Sequence, residues 1–159
     1  MDVEPARFRQ LLGRFATGVT VITAIDAAGA PAGMTASSFT SVSLEPPLIS
    51  VCIEHSADMY RTLEQADAFA VNILSADQEA LSRRFAEQET GRFSGVGFHR
   101  TESGAIVLEG ILAHLECEKF AAYPAGDHTI YLARVIGGAT EEGQPLLYYR
   151  GGYAGLARG

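Results

Sequence analysis

The chain has 159 residues with a formal charge of −7, and its 47% apolar and 19% charged content with a mean hydropathy of +0.09 describes one globular domain rather than a disordered chain. Lys119 is the sole lysine beside eleven arginines, so the basic face that a general nucleic-acid role needs is missing. No apolar run approaches the roughly 20 residues of a membrane span and MDVEPARFRQ is not a secretory leader pattern, so no membrane is expected and the cytoplasm is the expected compartment.

In PARFRQLLGRFA the apolar residues Phe8, Leu11, Leu12 and Phe15 recur at helical spacing, with Pro5 suited to the first turn. GVTVITAID alternates and is β-branched, and DAAGAP closes it, which predicts a hairpin of Val19–Ile25 with a return strand from Pro31. LISVCI, from Leu48 to Ile53, is almost continuously apolar and reads as a central strand covered on both faces. A short helix is expected from about Met59 to Gln65, with Asp58 as its N-cap. DAFAVNIL follows as another strand. Ser75 with Gln78 three residues on has the spacing of a capping box, opening a helix that carries Leu81 and Phe85 on one side. The aperiodic residues from Glu87 to Gly104 read as a long surface excursion, a lid or interface loop.

The last third is β in character. Ile111, Ala113, Leu115 and Cys117 alternate with His114, Glu116 and Glu118, as in a half-solvated antiparallel strand, and PAGDH turns it into TIYLARVIGG. PLLYYRGGY supplies a last short strand. Six or seven strands joined largely by tight turns, with three helices, predict a mainly β protein: an antiparallel barrel with peripheral α-helices, as one domain over residues 1–159 without repeats or linkers.

Several chemistries lack their signatures. There is no G-x-G-x-x-G between strand and helix, no Gly-Lys-Ser/Thr phosphate loop and no G-x-S-x-G elbow. His55, His99, His114 and His128 are scattered, and Cys52 and Cys117 have no C-x-x-C partner and read as core thiols, so no metal site is expected. What stands out is GMTASSFTSVSLEPPL, Gly33 to Leu48, with six hydroxyl side chains between Thr35 and Ser43. Such a ribbon either satisfies an edge strand internally or lines a groove where hydroxyls and backbone N–H groups donate to a flat heterocycle or to phosphate oxygens.

Together, FATGVTVIT, GMTASSFTSVSLEPPLISVCI, FAVNIL with a downstream RFA, GDH at Gly126–His128 and PLLYYRGGY resemble, in order and over most of the chain, the flavin reductase family of FMN-binding split barrels. The resemblance implies an antiparallel Greek-key split β-barrel, a homodimer with flavin near the subunit interface, and hydride transfer from NADH or NADPH to FMN or FAD. It also implies a separate flavin-dependent monooxygenase as the recipient of reduced flavin. A tightly FMN-binding protein without catalysis is the alternative. A pyridoxamine phosphate oxidase is a third reading, weakened by the lack of a basic phosphate cluster.

On matching positions, the resemblance puts Met34, Thr35, Ala36, Ser37 and Ser38 against the isoalloxazine edge. Ser50, Val51, Cys52 and Ile53 continue the groove, and Ser56 reaches the ribityl phosphate at the start of the helix near Met59, with Arg83 or Arg84 as candidate helpers. Phe85 is a pocket wall, and His128 and Tyr153 lie on the nicotinamide side, His128 being the catalytic candidate through orientation or shielding. Arg14 and Arg150 are further candidates for the nicotinamide diphosphate, although their spacing does not require it. In GVGFHR the chain departs from the family, where an aromatic, often tryptophan, is common; Phe98 is the aromatic available there.

Overall fold

The computed structural model describes residues 1–157. In chain order the described residues form helix α1 (Pro5–Leu12), strands β1 (Thr17–Gly18), β2 (Thr20–Ile25), β3 (Pro31–Ala36), β4 (Thr40–Leu44) and β5 (Pro47–Glu54), and then α2 (Asp58–Gln65). Next come β6 (Ala68–Ile73), α3 (Glu79–Glu87), β7 (Phe98–Arg100), β8 (Ile106–Leu108), the long pair β9 (Ala113–Ala125) and β10 (His128–Thr140), and the short β11 (Leu147–Tyr149) and β12 (Gly152–Ala154). The expected mainly β, antiparallel architecture with peripheral helices is present. The strand count exceeds the expected six or seven because short strands have too few residues to show a period.

Seven strands make the main sheet, in the order β3-β2-β6-β9-β10-β5-β4, with every neighbour antiparallel. Its two outer strands, β3 and β4, are consecutive in the chain and joined only by residues 37–39. Laid flat, six strand spacings would hold those edges about 29 Å apart, whereas a link of that length reaches at most about 14 Å. The sheet therefore has to curl until its edges nearly meet. They are not paired with each other, so the curl leaves an open seam, and the hydroxyl-rich ribbon runs along it.

Inside the curl, Ile22, Val51, Ile53, Met59, Leu63, Phe69, Val71, Cys117 and Tyr131 form one buried cluster. A second cluster, with Val19, Val21, Leu74, Phe85, Val107, Leu108, Ile111 and Leu146, packs on the opposite side of β2. β2 is covered on both faces, with Val21 and Ile22 facing different clusters. β5 meets the expectation of a covered strand along residues 48–51, four consecutive buried residues, and opens only at Cys52, which is partly exposed, before Ile53 is buried again. Burial pushes the Cys117 thiol up to about 12, as suits a core thiol, and raises Cys52 as well.

Polar groups inside are committed to holding the elements together. The Asn72 amide donates to Val21 O and Thr23 Oγ1 and accepts from Leu108 N, while Thr23 Oγ1 donates to Ile106 O, which fixes β8 against the sheet. Tyr131, its ring wholly buried, donates to Glu64 Oε1, and burial with this bond raises its pKa. Lys119 Nζ donates to the carbonyls of Leu63 and Glu64 at the end of α2, where a cation meets the negative end of the helix.

Two helix starts differ from expectation. Gln78 Oε1 accepts from Ser75 N, one half of a capping box, but Ser75 Oγ donates to Asp77 and Gly110 O instead, and α3 begins only at Glu79. The N-cap of α2 is Ala57 rather than Asp58, which is the first helical residue and pairs with Arg61 at 2.8 Å.

Candidate active site

Along the seam, Thr35 and Ser38 have their hydroxyl protons engaged within the protein. Thr35 Oγ1 donates to Ser82 O on α3 at 2.7 Å. Ser38 Oγ accepts from Cys52 N at 3.0 Å and donates to Cys52 O at 3.2 Å, so it satisfies both main-chain groups of β5 at the point where its ladder with β4 has ended. Among the described residues, the amides of Ser37, Ser38 and Phe39 donate to no backbone carbonyl. Ser37 is exposed. The seam therefore presents backbone N–H groups and the Ser37 hydroxyl as free donors, while the neighbouring hydroxyls hold the backbone that presents them.

Beside Thr35, Ala36 and Ser37 lies a cleft of about 280 Å³, closed by Ser82, Arg83, Ala86 and Glu87 of α3 and by Tyr148, Gly151 and Tyr153. Ser82, buried on the inner face of α3, shares a 2.7 Å hydrogen bond with the Tyr153 hydroxyl. Tyr153 meets Tyr148 edge to face at 5.2 Å, and the Arg83 guanidinium lies 4.9 Å from the Tyr153 ring centroid. Ser82 was absent from the sequence-derived candidates; its place three residues before Phe85, on the same helical face, is the signal that points to it.

The candidate arginines divide. Arg83 lines the cleft and pairs with Glu79 and Glu87 at 3.4 and 3.6 Å, and the bond to Glu79 leads the upward shift of its pKa. Arg84 instead donates to the carbonyls of Gly91, Arg92 and Ser94, and Arg92 donates to Gly33 O at 2.8 Å. The excursion after α3 is thereby stapled down over Gly33, and its residues 98–100 pair with β8. Phe98 stacks edge to face on Phe93, which does the same on Phe85.

Three expected groove residues do not present side chains to it. Phe85 is 0% exposed in the second cluster, so its ring supports other residues instead of forming a pocket wall. Val51 and Ile53 are likewise 0% exposed, because alternation on β5 turns them into the curl. Ser50 and Cys52 point to the other face, with Leu132 and Ile130 of β10 beside them in register. Met34 is half-buried against the first cluster and Ala36 is buried.

Ser56 and His128 lie together at the C-terminal end of β5. His55 N donates to Asp127 O, and His128 pairs in register with Glu54. His128 Nδ1 donates to Asp127 Oδ1 at 2.6 Å, a bond that holds the Asp127 carboxyl below its ordinary value and leaves Nε2 of the half-exposed imidazole as the free ring nitrogen. Ser56 is exposed, and the helix start beside it carries the Asp58 carboxylate in its first turn. That carboxylate is turned to Arg61 at 2.8 Å, and no side chain caps the helix start.

Seam donors along one edge, a cleft walled by tyrosines and a single cation suit a flat anionic heterocycle better than a metal; among the described residues no group of three potential ligands could hold an ion. The flavin reductase like domain matches residues 12–157. A flavin reductase of Pseudomonas putida is 39% identical over 156 residues, 98% of this chain and 92% of that protein. The reductase subunit HsaB of a flavin-dependent monooxygenase from Rhodococcus jostii is 37% identical over 97% of this chain and 79% of its own length. The NADH:FAD oxidoreductase SgcE6 of Streptomyces globisporus, solved in complex with NAD and FAD fragments, superposes with a TM-score of 0.91 at 39% identity, covering 99% of this chain and 97% of that one. The conjunction of seam, cleft and likeness over nearly the whole length has one reading: this chain belongs to the flavin reductase like domain family.

Proposed function

We propose that this protein, an NAD(P)H-dependent flavin reductase serving a separate flavin-dependent monooxygenase, seats its flavin along the open seam between β3 and β4. The observation that carries the placement is the run of unpaired amides at Ser37, Ser38 and Phe39, held in position by the internal bonds of Thr35 and Ser38. A bound flavin, FMN or FAD, supplies the ring that accepts hydride from NADH or NADPH. Seam amides and the Ser37 hydroxyl donate to the edge where negative charge gathers, a fixed set of dipoles that needs no reorganisation. Arg83, beside the same cleft, is the cation nearest to hand for a phosphate, and Ser56 offers an exposed hydroxyl just before α2 as the second candidate. His128, with Nδ1 fixed by Asp127, offers Nε2 to orient a carboxamide or exclude water; hydride transfer depends on positioning and requires no base.

The proposal places this reaction in the cytoplasm and in a homodimer. Phe8, Leu11, Leu12 and Phe15 are 48–75% exposed, so the apolar face of α1 and its continuation are unpartnered within one chain. On the outer face of the sheet, Tyr123 and Ile130 lie in register beside Cys52. A second copy covers these surfaces and brings its own wall to the flavin. Light scattering after size exclusion should give twice the chain mass, and Ile130→Glu should give the monomer with weakened flavin binding. A monomeric wild-type protein overturns the arrangement.

Purified protein mixed with NADH or NADPH and a catalytic amount of free FMN should oxidise the nicotinamide over many turnovers per flavin. A firmly bound yellow chromophore with no turnover would instead establish a flavin-binding protein without reductase activity.

A further inference from the structure

Ser82 joins the two walls of the seam cleft. Its main-chain carbonyl accepts from Thr35 Oγ1 on β3 at 2.7 Å, and its hydroxyl meets the Tyr153 hydroxyl on β12 at 2.7 Å. The helix that carries it is anchored between those walls, because Phe85, three residues on, is 0% exposed in the second cluster. A helical serine out of reach of solvent commonly returns its proton to the carbonyl one turn back, yet among the described residues the Ser82 hydroxyl has Tyr153 as its one partner.

The direction of that bond follows from burial. Ser82 is 0% exposed, so a bond donated by Tyr153 would leave the Ser82 proton enclosed without an acceptor, whereas a bond donated by Ser82 leaves no proton unpaired inside. Tyr153 lines the cleft and is partly exposed, so its own proton is then free to face the cleft. Its ring is held on two sides, edge to face by Tyr148 at 5.2 Å and by the Arg83 guanidinium 4.9 Å from its centroid. A phenol that accepts one hydrogen bond is also polarised to donate a stronger one. We propose that Ser82 is a positioning residue for hydride transfer: it donates to Tyr153 Oη and thereby turns the Tyr153 hydroxyl into a donor aimed at an amide-type carbonyl oxygen of the heterocycle in the cleft. Flavin and nicotinamide both carry such a carbonyl. The inference rests on the placement of the flavin at the seam.

The test is a double-mutant cycle on the full-length protein with Ser82→Ala and Tyr153→Phe, which remove one hydroxyl each and leave the carbonyl that serves Thr35 and the ring that meets Tyr148 and Arg83. FMN affinity is read by quenching of flavin fluorescence, and the KM for NADH by steady-state turnover with FMN as acceptor. Ser82→Ala should worsen one of these by about threefold or more, and Tyr153→Phe should worsen the same quantity at least as much, as expected for a weakened and a deleted hydrogen bond. A loss of FMN affinity assigns the carbonyl to the flavin, and a raised KM assigns it to the nicotinamide. In the Tyr153→Phe background Ser82→Ala should cost nothing further, since Ser82 acts through the phenol. An effect of Ser82→Ala that persists in that background shows a helix-packing role and overturns the proposal, as does either single variant with both quantities unchanged. FMN affinity indifferent to substitution at Ser37, with a Ser82→Ala effect on the KM that still depends on Tyr153, would remove the seam reading alone.

Discussion

Phe85→Ala should lower the stability of the protein by about 3–5 kcal/mol, the range for deleting a wholly buried aromatic ring, and its melting temperature by about 10 °C. The ring is enclosed by Val19, Val21, Leu74 and Phe93, and it stands against Gly33, the residue from which the ribbon departs. A Cβ built on Gly33 would lie 2.6 Å from the Phe85 ring, so Gly33→Ala alone overpacks the site, at a cost of about 1–3 kcal/mol. In the double variant the added methyl occupies part of the hole left by the ring. The two losses, measured by urea unfolding, should therefore fall short of their sum by 1 kcal/mol or more, as contacting residues do. Additivity would show that ring and glycine do not meet. A variant that kept its stability and lost only flavin affinity would restore Phe85 as a pocket wall.

How far such a site can be read from sequence depends on which physical signal each residue carries. Segments such as TVITAI and the pair around GDH identify themselves through β-branched and alternating residue types; β10 keeps the period in its burial, while β2 is buried along nearly its whole length. The hydroxyl cluster was equally visible as chemistry. Its division of labour was not: whether Ser38 donates to a ligand or to Cys52 depends on the sheet curling far enough to bring β5 beside the ribbon, a contact fourteen residues apart. Likewise, the resemblance put Ser50 to Ile53 along one groove, whereas the pleat sends Val51 and Ile53 inward and Ser50 and Cys52 outward. The cleft between α1 and the β11–β12 hairpin joins positions 7 and 150, and no local pattern couples them. For α1 the sequence signalled an apolar face correctly, and the single chain leaves that face uncovered.

The two adjacent serines offer the sharpest separation of fold from function. Ser37→Leu changes an exposed side chain with no bond to the rest of the protein, so unfolding stability should stay within about 0.5 kcal/mol of wild type. It removes a free donor and places a branched apolar chain over the seam amides, so flavin affinity, followed by quenching of flavin fluorescence, should weaken at least tenfold, about 1.4 kcal/mol or more. Ser38→Ala should show the reverse balance. Its hydroxyl serves Cys52 N and O, so its loss leaves two main-chain groups of β5 to be met by water at the half-exposed edge, a cost to stability of about 1 kcal/mol. Affinity then falls only to the extent that the ribbon loosens, and Ser38→Thr, which keeps the hydroxyl, should recover most of the stability. If Ser37→Leu bound flavin as tightly as the wild type, the seam amides would not be the flavin's donors, and its ring would have to lie on the Tyr153 side of the cleft alone.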